Sequence, residues 1–355
     1  MPRKVCDMRI AQIAPLWKTV PPQKYGGVEV AVSNITEGLI KKGHDVTLFA
    51  CGGSKTKGKL IEVIQEPLYK LTGGFSWDAI SPYEFLMYYA LAEKIRNREF
   101  DLIHNHLGFQ LLSFSPLIDI PIVTTMHSSL EPDYPYLAER FKDQDFVSIS
   151  NAQRELAPHL NYVETIYHGL QNSEYEPRLS GDSDYYLFLG SSTRNKGVDI
   201  AVRAAKELGI RLFLAGEFRE TEKDFYEKEV NPYIDGKQIK VLGEVTTKEK
   251  NRLLRGAKAL LFPSQWKEAF GLVIIEALTH GTPVVAYGNG AVPEIIIEGK
   301  TGYIVDNYED FKSKILEVGG LSRESCRKEA EVRFDISVVV DNHIGLFEKL
   351  VKGKK

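Results

Sequence analysis

The chain has 355 residues, 43% of them hydrophobic and 26% charged, a globular composition too long for one ordinary core and suited to two domains. Its 45 Lys and Arg against 48 Asp and Glu leave a net charge of −3, which removes the electrostatic case for a nucleic-acid partner. Cys6, Cys51 and Cys326 are too few and too scattered for a disulfide framework or a zinc site, and no apolar run has the form of a signal peptide or the length of a membrane span. The expectation is a soluble, cytoplasmic protein.

Short apolar runs alternate with amphipathic segments nearly from end to end. In the first half the candidate strands are RIAQIA (9–14), DVTLFA (45–50), DLIHNH (101–106), IPIVTTMH (120–127) and FVSIS (146–150). A helix is predicted over 28–43, where Lys41, Lys42 and Gly43 form a C-terminal signature. The second half repeats the rhythm with strands in 185–191, 210–217, 239–245, 258–264 and 282–288 and a helix over 197–209. Strands that are apolar along their whole length and alternate with helices predict parallel sheets covered on both faces. The polar, aperiodic stretch QNSEYEPRLSGDSD (171–184) is the boundary. The predicted organisation is α/β, with a Rossmann-like domain over 1–170, a second over 171–335, and the helix 336–352 rejoining the first. Such sheets bind ligands outside the carboxyl ends of their strands, so a cleft faced by both sets of ends is expected.

The usual phosphate loops are missing. No GxGxxG follows the first strand and no GxxxxGK[ST] appears; CGGSKTKGK (51–59) has the wrong spacing and reads as a solvated basic loop. With Lys41 and Lys42 its lysines, Lys55, Lys57 and Lys59, form at most a weak basic patch, which leaves peripheral membrane contact as a lesser possibility. Behind the first strand, Gly26 and Gly27 open a helix, either as an anion-binding turn or as an ordinary βα turn. In LGSSTRNKG (189–197), Arg194 and Lys196 again stand before a helix, suited to a diphosphate or simply solvated.

KEAFGLVIIEALTHGTPVV (267–285) carries Glu268 and Glu276 eight residues apart. The predicted helix begins near Phe270 or Gly271, and its first amides are free for a phosphate. Glu276 lies about five residues in, roughly 8 Å deeper at ~1.5 Å per residue. Among aliphatic neighbours its carboxylate needs hydrogen-bond donors or loses its charge. A ribose diol is one such donor, and a structural ion pair is the alternative.

These residues resemble the retaining GT-B glycosyltransferases of family 4, and the resemblance spans essentially the whole chain. It rests on Glu268 and Glu276 in their FGL…EA…GTPVV frame and on YGGVE (25–29), DLIHNH (101–106), TTMHSS (124–129), YHGL (167–170) and EGKTGYIV (298–305). The opening IAQIAPLWKTVPPQKYGGVE and VETIYHGL (163–170) look most like a branch described as similar to UDP-glucose:tetrahydrobiopterin glucosyltransferases. The resemblance implies a hexose transferred with retention from a nucleotide sugar, UDP-glucose by the branch, to a hydroxyl acceptor. No cofactor or catalytic metal is implied. Glu276 would hold the ribose, and Glu268 the hydroxyls of the transferred sugar. Lys196 and the amides at Gly271 and Leu272 would hold the diphosphate, met by Gly26 and Gly27. His127 matches the family's active-site histidine; His106, with His104, is a weaker candidate. Where the family reads Gly-Arg this chain has Gly190-Ser191, and Arg194 is expected to supply the missing charge. A non-catalytic nucleotide-sugar binder and a GT-B sugar-nucleotide epimerase are the rival readings.

Overall fold

The computed structural model describes residues 7–24, 26–72, 77–128, 135–181 and 183–353. Tyr25, Ser129 and Asp182, which fall within segments quoted above, lie outside them. The chain divides into two compact units, Met1–Gly169 with Ile336–Lys355, and Leu170–Asp335.

The first unit holds a seven-stranded parallel sheet of β1 (Arg9–Ile13), β2 (Asp45–Cys51), β3 (Lys59–Ile64), β4 (Leu102–Asn105), β5 (Ile122–Thr125), β6 (Asp145–Ser148) and β7 (Tyr162–Thr165), in the order β3-β2-β1-β4-β5-β6-β7. Alternation along β1 shows why these runs are apolar throughout. Ala11 and Ile13 join a core with Met87 and Leu91 on one face, while Ile10 joins Ile35 and Leu39 on the other. Ile35 and Leu39 come from helix α1 (Gly27–Lys41), Met87 and Leu91 from α2 (Trp77–Arg96).

Among the elements of this unit that were not anticipated are β3, β7 and α2. β3 is an edge strand whose exposed Lys59 and Glu62 interrupt the apolar run. α2 carries Pro82 and leaves Phe85 and Tyr89 exposed while Met87 and Leu91 are buried, so its apolar residues lack a helical period.

The second unit holds β8 (Tyr186–Leu189), β9 (Leu212–Ala215), β10 (Ile239–Gly243), β11 (Leu260–Phe262), β12 (Val284–Tyr287) and β13 (Gly302–Val305), all parallel, in the order β10-β9-β8-β11-β12-β13. Its helices include α3 (Val198–Leu208), α4 (Thr247–Gly256), α5 (Leu272–Thr279) and α6 (Arg323–Phe334). α4 opens with a full capping box between Thr246 and Glu249. After α6 the chain returns to the first unit as α7 (Ile336–Gly353), whose Val339, Val340 and Phe347 lie in the core against Ile35 and Leu39. Among the described residues no helix is long and apolar enough to cross a membrane.

In each sheet the strand order reverses once, between β1 and β4 in the first unit and between β8 and β11 in the second. At such a reversal the loops leaving neighbouring strands part to opposite faces and open a crevice at their carboxyl ends. The candidate residues gather at these two points.

Candidate functional site

In the second unit the loops after β8 and β11 meet. Behind β8, residues Arg194–Lys196 form a single helical turn ahead of α3. Behind β11, the chain runs through Ser264 to Glu268 before α5. The Lys196 ammonium lies 2.6 Å from Glu268 Oε1, and the same oxygen accepts from Ser264 Oγ at 2.6 Å. Glu268 is 9% exposed, so its charge is carried by these two donors rather than by water.

The loop after β12 supports this carboxylate. Asn289 Nδ2 donates to Ser264 O at 2.8 Å, and Ala291 N donates to Glu268 O at 2.9 Å. Between them Gly290 has φ +62°, and a Cβ there would come within 2.3 Å of Glu268 O. Only glycine fits so close an approach at a left-handed position.

Gly271, at φ +100°, is the N-cap of α5, and Leu272 is its first residue. No side chain caps this end; Ile274 N donates to Gly271 O at 2.9 Å, and the amides ahead of it have no carbonyl one turn earlier in the helix to bond. Glu276 sits in the fifth position of α5, 5% exposed. It finds its donor in Lys250 of α4, which forms an ion pair with Glu276 Oε1. Sequence reasoning did not single out Lys250 or Ser264. His280 Nδ1 donates to the backbone oxygen of Glu276 at 2.7 Å, and burial holds this imidazole below its ordinary pKa. The Tyr175 hydroxyl, against His280, is pushed up by burial and by the Glu276 charge.

Arg194 points elsewhere. Its exposed guanidinium lies over the Phe225 ring, 4.4 Å from the centroid. Ser191 Oγ is 3.5 Å from Thr193 Oγ1 and carries no charge to the site.

The other candidates, Gly26, Gly27, His106 and His127, belong to the first unit. Gly26 caps α1, and a Cβ on it would meet Glu29 Oε2 at 2.8 Å. Glu29, 5% exposed, is a buried carboxyl that the sequence analysis passed over; burial raises its pKa. His106 follows β4 and His127 follows β5. They share a hydrogen bond, His106 Nδ1 to His127 Nε2, 2.8 Å. His106 Nε2 meets Gln12 Oε1 at 2.8 Å, and His127 Nδ1 lies 3.4 Å from His168 Nε2. The His104 ring lies tilted beside His106 at 4.1 Å between centroids, and His343 of α7 beside His104 at 5.2 Å. Burial and mutual repulsion hold His104, His106 and His127 well below the usual imidazole pKa, with His343 at about 4 and His168 at about 3.

Comparison with known proteins agrees with this division. The family of glycosyl transferases group 1 matches residues 172–332, and Glycosyltransferase Family 4 matches residues 25–163. An uncharacterised glycosyltransferase of Methanocaldococcus jannaschii is 27% identical over 337 residues, covering 88% of this chain and 91% of that protein. Among solved structures, the sucrose-phosphate synthase of Thermosynechococcus elongatus superposes with a TM-score of 0.78 at 19% identity, covering 98% of this chain and 100% of its own. Anabaena HepE, solved in complex with UDP-glucose, gives 0.71 at 18% identity, covering 96% and 100%.

Proposed function

The chain belongs to the family 4, group 1 glycosyltransferases of GT-B fold, matched in both of its units, and on that premise we propose that it moves a hexose from a nucleotide sugar to a hydroxyl acceptor with retention at the anomeric carbon. UDP-glucose is the proposed donor, supported by the branch resemblance and by the complex formed by HepE. The observation that carries the reading is the Lys196–Glu268–Ser264 cluster at the strand-order reversal of the second unit, followed at once by the uncapped start of α5.

In this reading the diphosphate lies at the first amides of α5, where Gly271 and Leu272 and the Lys196 ammonium all present positive potential. Glu268 turns from Lys196 toward the hydroxyls of the sugar. Glu276, held by Lys250, accepts from the ribose hydroxyls. The family resemblance assigns His127, Gly26 and Gly27 to the donor as well. The acceptor oxygen bonds to the anomeric carbon on the face from which the diphosphate departs, as the bond from that carbon to phosphate oxygen breaks. The acceptor's proton passes to the departing phosphate oxygen, giving a glycoside and a nucleoside diphosphate. Lys196 and the helix start stabilise the charge on the leaving group, and no metal is required.

The position of Arg194 on Phe225 favours a second reading, a nucleotide-sugar binder without turnover. One experiment separates the readings. Thermal unfolding is followed with UDP-, GDP- and ADP-sugars, for the wild type and for Glu276→Ala. A hundredfold excess over the dissociation constant adds about 2.7 kcal/mol. The transferase reading expects a UDP-glucose shift that Glu276→Ala abolishes, with glycoside formed in an acceptor screen. A shift without any product favours the binder, and no shift with any nucleotide sugar overturns both.

A further inference from the structure

The strand-order reversal of the first unit holds a hydrogen-bonded file of side chains that runs from the core to His127. It starts at Gln12 near the end of β1, which is fully buried, passes through His106, 4% exposed, and reaches His127; His168, 7% exposed, stands at the far side. A neutral imidazole has one donating and one accepting nitrogen, so fixing one end of such a file fixes every member.

The amide oxygen of Gln12 only accepts. His106 therefore donates from Nε2 and must accept at Nδ1. His127 then donates from Nε2 to His106 and must accept at Nδ1, where the His168 contact of 3.4 Å is at the outer limit of a hydrogen bond. We propose that Gln12 and His106 are positioning residues that lock His127 as the Nε2-protonated tautomer and so present its Nδ1 lone pair as an acceptor for a hydroxyl of the donor sugar.

The crowding of the rings supports the neutral state on which this logic depends. The titratable groups facing His106 and His127 are His104 on β4, His168 beyond β7 and His343 on α7, and together with burial they hold both rings uncharged. The reverse orientation of the Gln12 amide would invert each donation and put the proton of His127 on Nδ1. The proton's location on His127 thus reads the direction of the file.

The role of His127 toward the sugar rests on the transferase reading, but the test of the file does not. Long-range 1H–15N spectra are recorded on the free, full-length protein labelled with 15N-histidine, with His127 assigned from the His127→Asn spectrum. The expected result is protonation of wild-type His127 on Nε2. In Gln12→Leu, which removes the anchor, His127 becomes a mixture of tautomers, and UDP release from UDP-glucose falls roughly tenfold in kcat at unchanged KM, the lower end of the loss when a metal-bound histidine is deprived of its orienting partner. In the isosteric Gln12→Glu, the added charge draws one more proton into the file, so a histidine titration appears between pH 5 and 8 that the wild type lacks. Wild-type protonation on Nδ1, or a tautomer that neither Gln12 substitution alters, overturns the proposal. If Gln12→Leu does not fold, the wild-type and Gln12→Glu spectra decide. Absence of UDP release from the wild type would count against the transferase reading, while the file would still stand or fall on the spectra.

Discussion

Lys250 and Glu276 form a pair whose side chains are 22% and 6% exposed, so removing the cation strands a carboxylate that water barely reaches. Lys250→Met is expected to cost the second unit about 2 kcal/mol in urea unfolding, with Lys250→Met/Glu276→Leu recovering part of it. An unchanged midpoint for the single variant would show that the pair carries no weight. At Gly290, Ala would need a positive φ and space already filled by the Glu268 backbone. Gly290→Ala is expected to lose about 1–3 kcal/mol and to weaken the UDP-glucose shift; a variant that keeps both would mean the loop gives way freely. Glu268, Glu276 and Lys196 were legible because their spacing and frame are distinctive. Lys250 was not, because its partner is 26 positions away and its own helix reads as a solvated one with a strong capping box. Nor was Ser264, one small polar residue at a strand end.

Among the elements, the strands on which the candidate residues ride were readable, since β1, β4, β8 and β11 are apolar on both faces and take their places in the middle of parallel sheets. The start of α5 at Leu272 lies one to two positions beyond the expected one, because Gly271 takes a left-handed conformation and serves as the cap. The edge strand β3 and the helix α2 escaped because neither carries a clean period. α7 has the most consequence for stability. Its Phe347 is fully buried in the core layer with Ile35 and Leu39, and Phe347→Ala is expected to destabilise the first unit by roughly 3–5 kcal/mol. Hydrogen exchange read segment by segment checks this. Faster exchange in β1, β2 and β4 with α3 and α5 unchanged is the expected pattern, and uniform acceleration would contradict it.

For the whole molecule, the placement of histidines makes the first unit the acid-sensitive one. His168 at about 3 and His343 at about 4 lie below the unfolded value of about 6.5. Between those limits the unfolded chain binds protons that the folded chain refuses, so stability is full above about pH 6.5 and falls as pH drops. Each such histidine removes up to about 2 kcal/mol between pH 6.5 and 5. Calorimetry with hydrogen exchange at pH 7.5 and 5 should show the first unit weakening more than the second, which holds only His280; equal weakening would contradict the pKa directions. The strand–helix alternation announced two α/β units, but the file of rings was hidden, because Gln12, His104, His127, His168 and His343 are joined only through sheet pairing and the return of α7. That return also orders events on the ribosome. All of Leu170–Asp335 emerges before the Val339, Val340 and Phe347 that close the first unit. In that interval the Ile35 and Leu39 stripe of α1 lacks its α7 cover, so the earlier-made domain is the later to mature, and chaperones have an apolar surface to hold until α7 emerges.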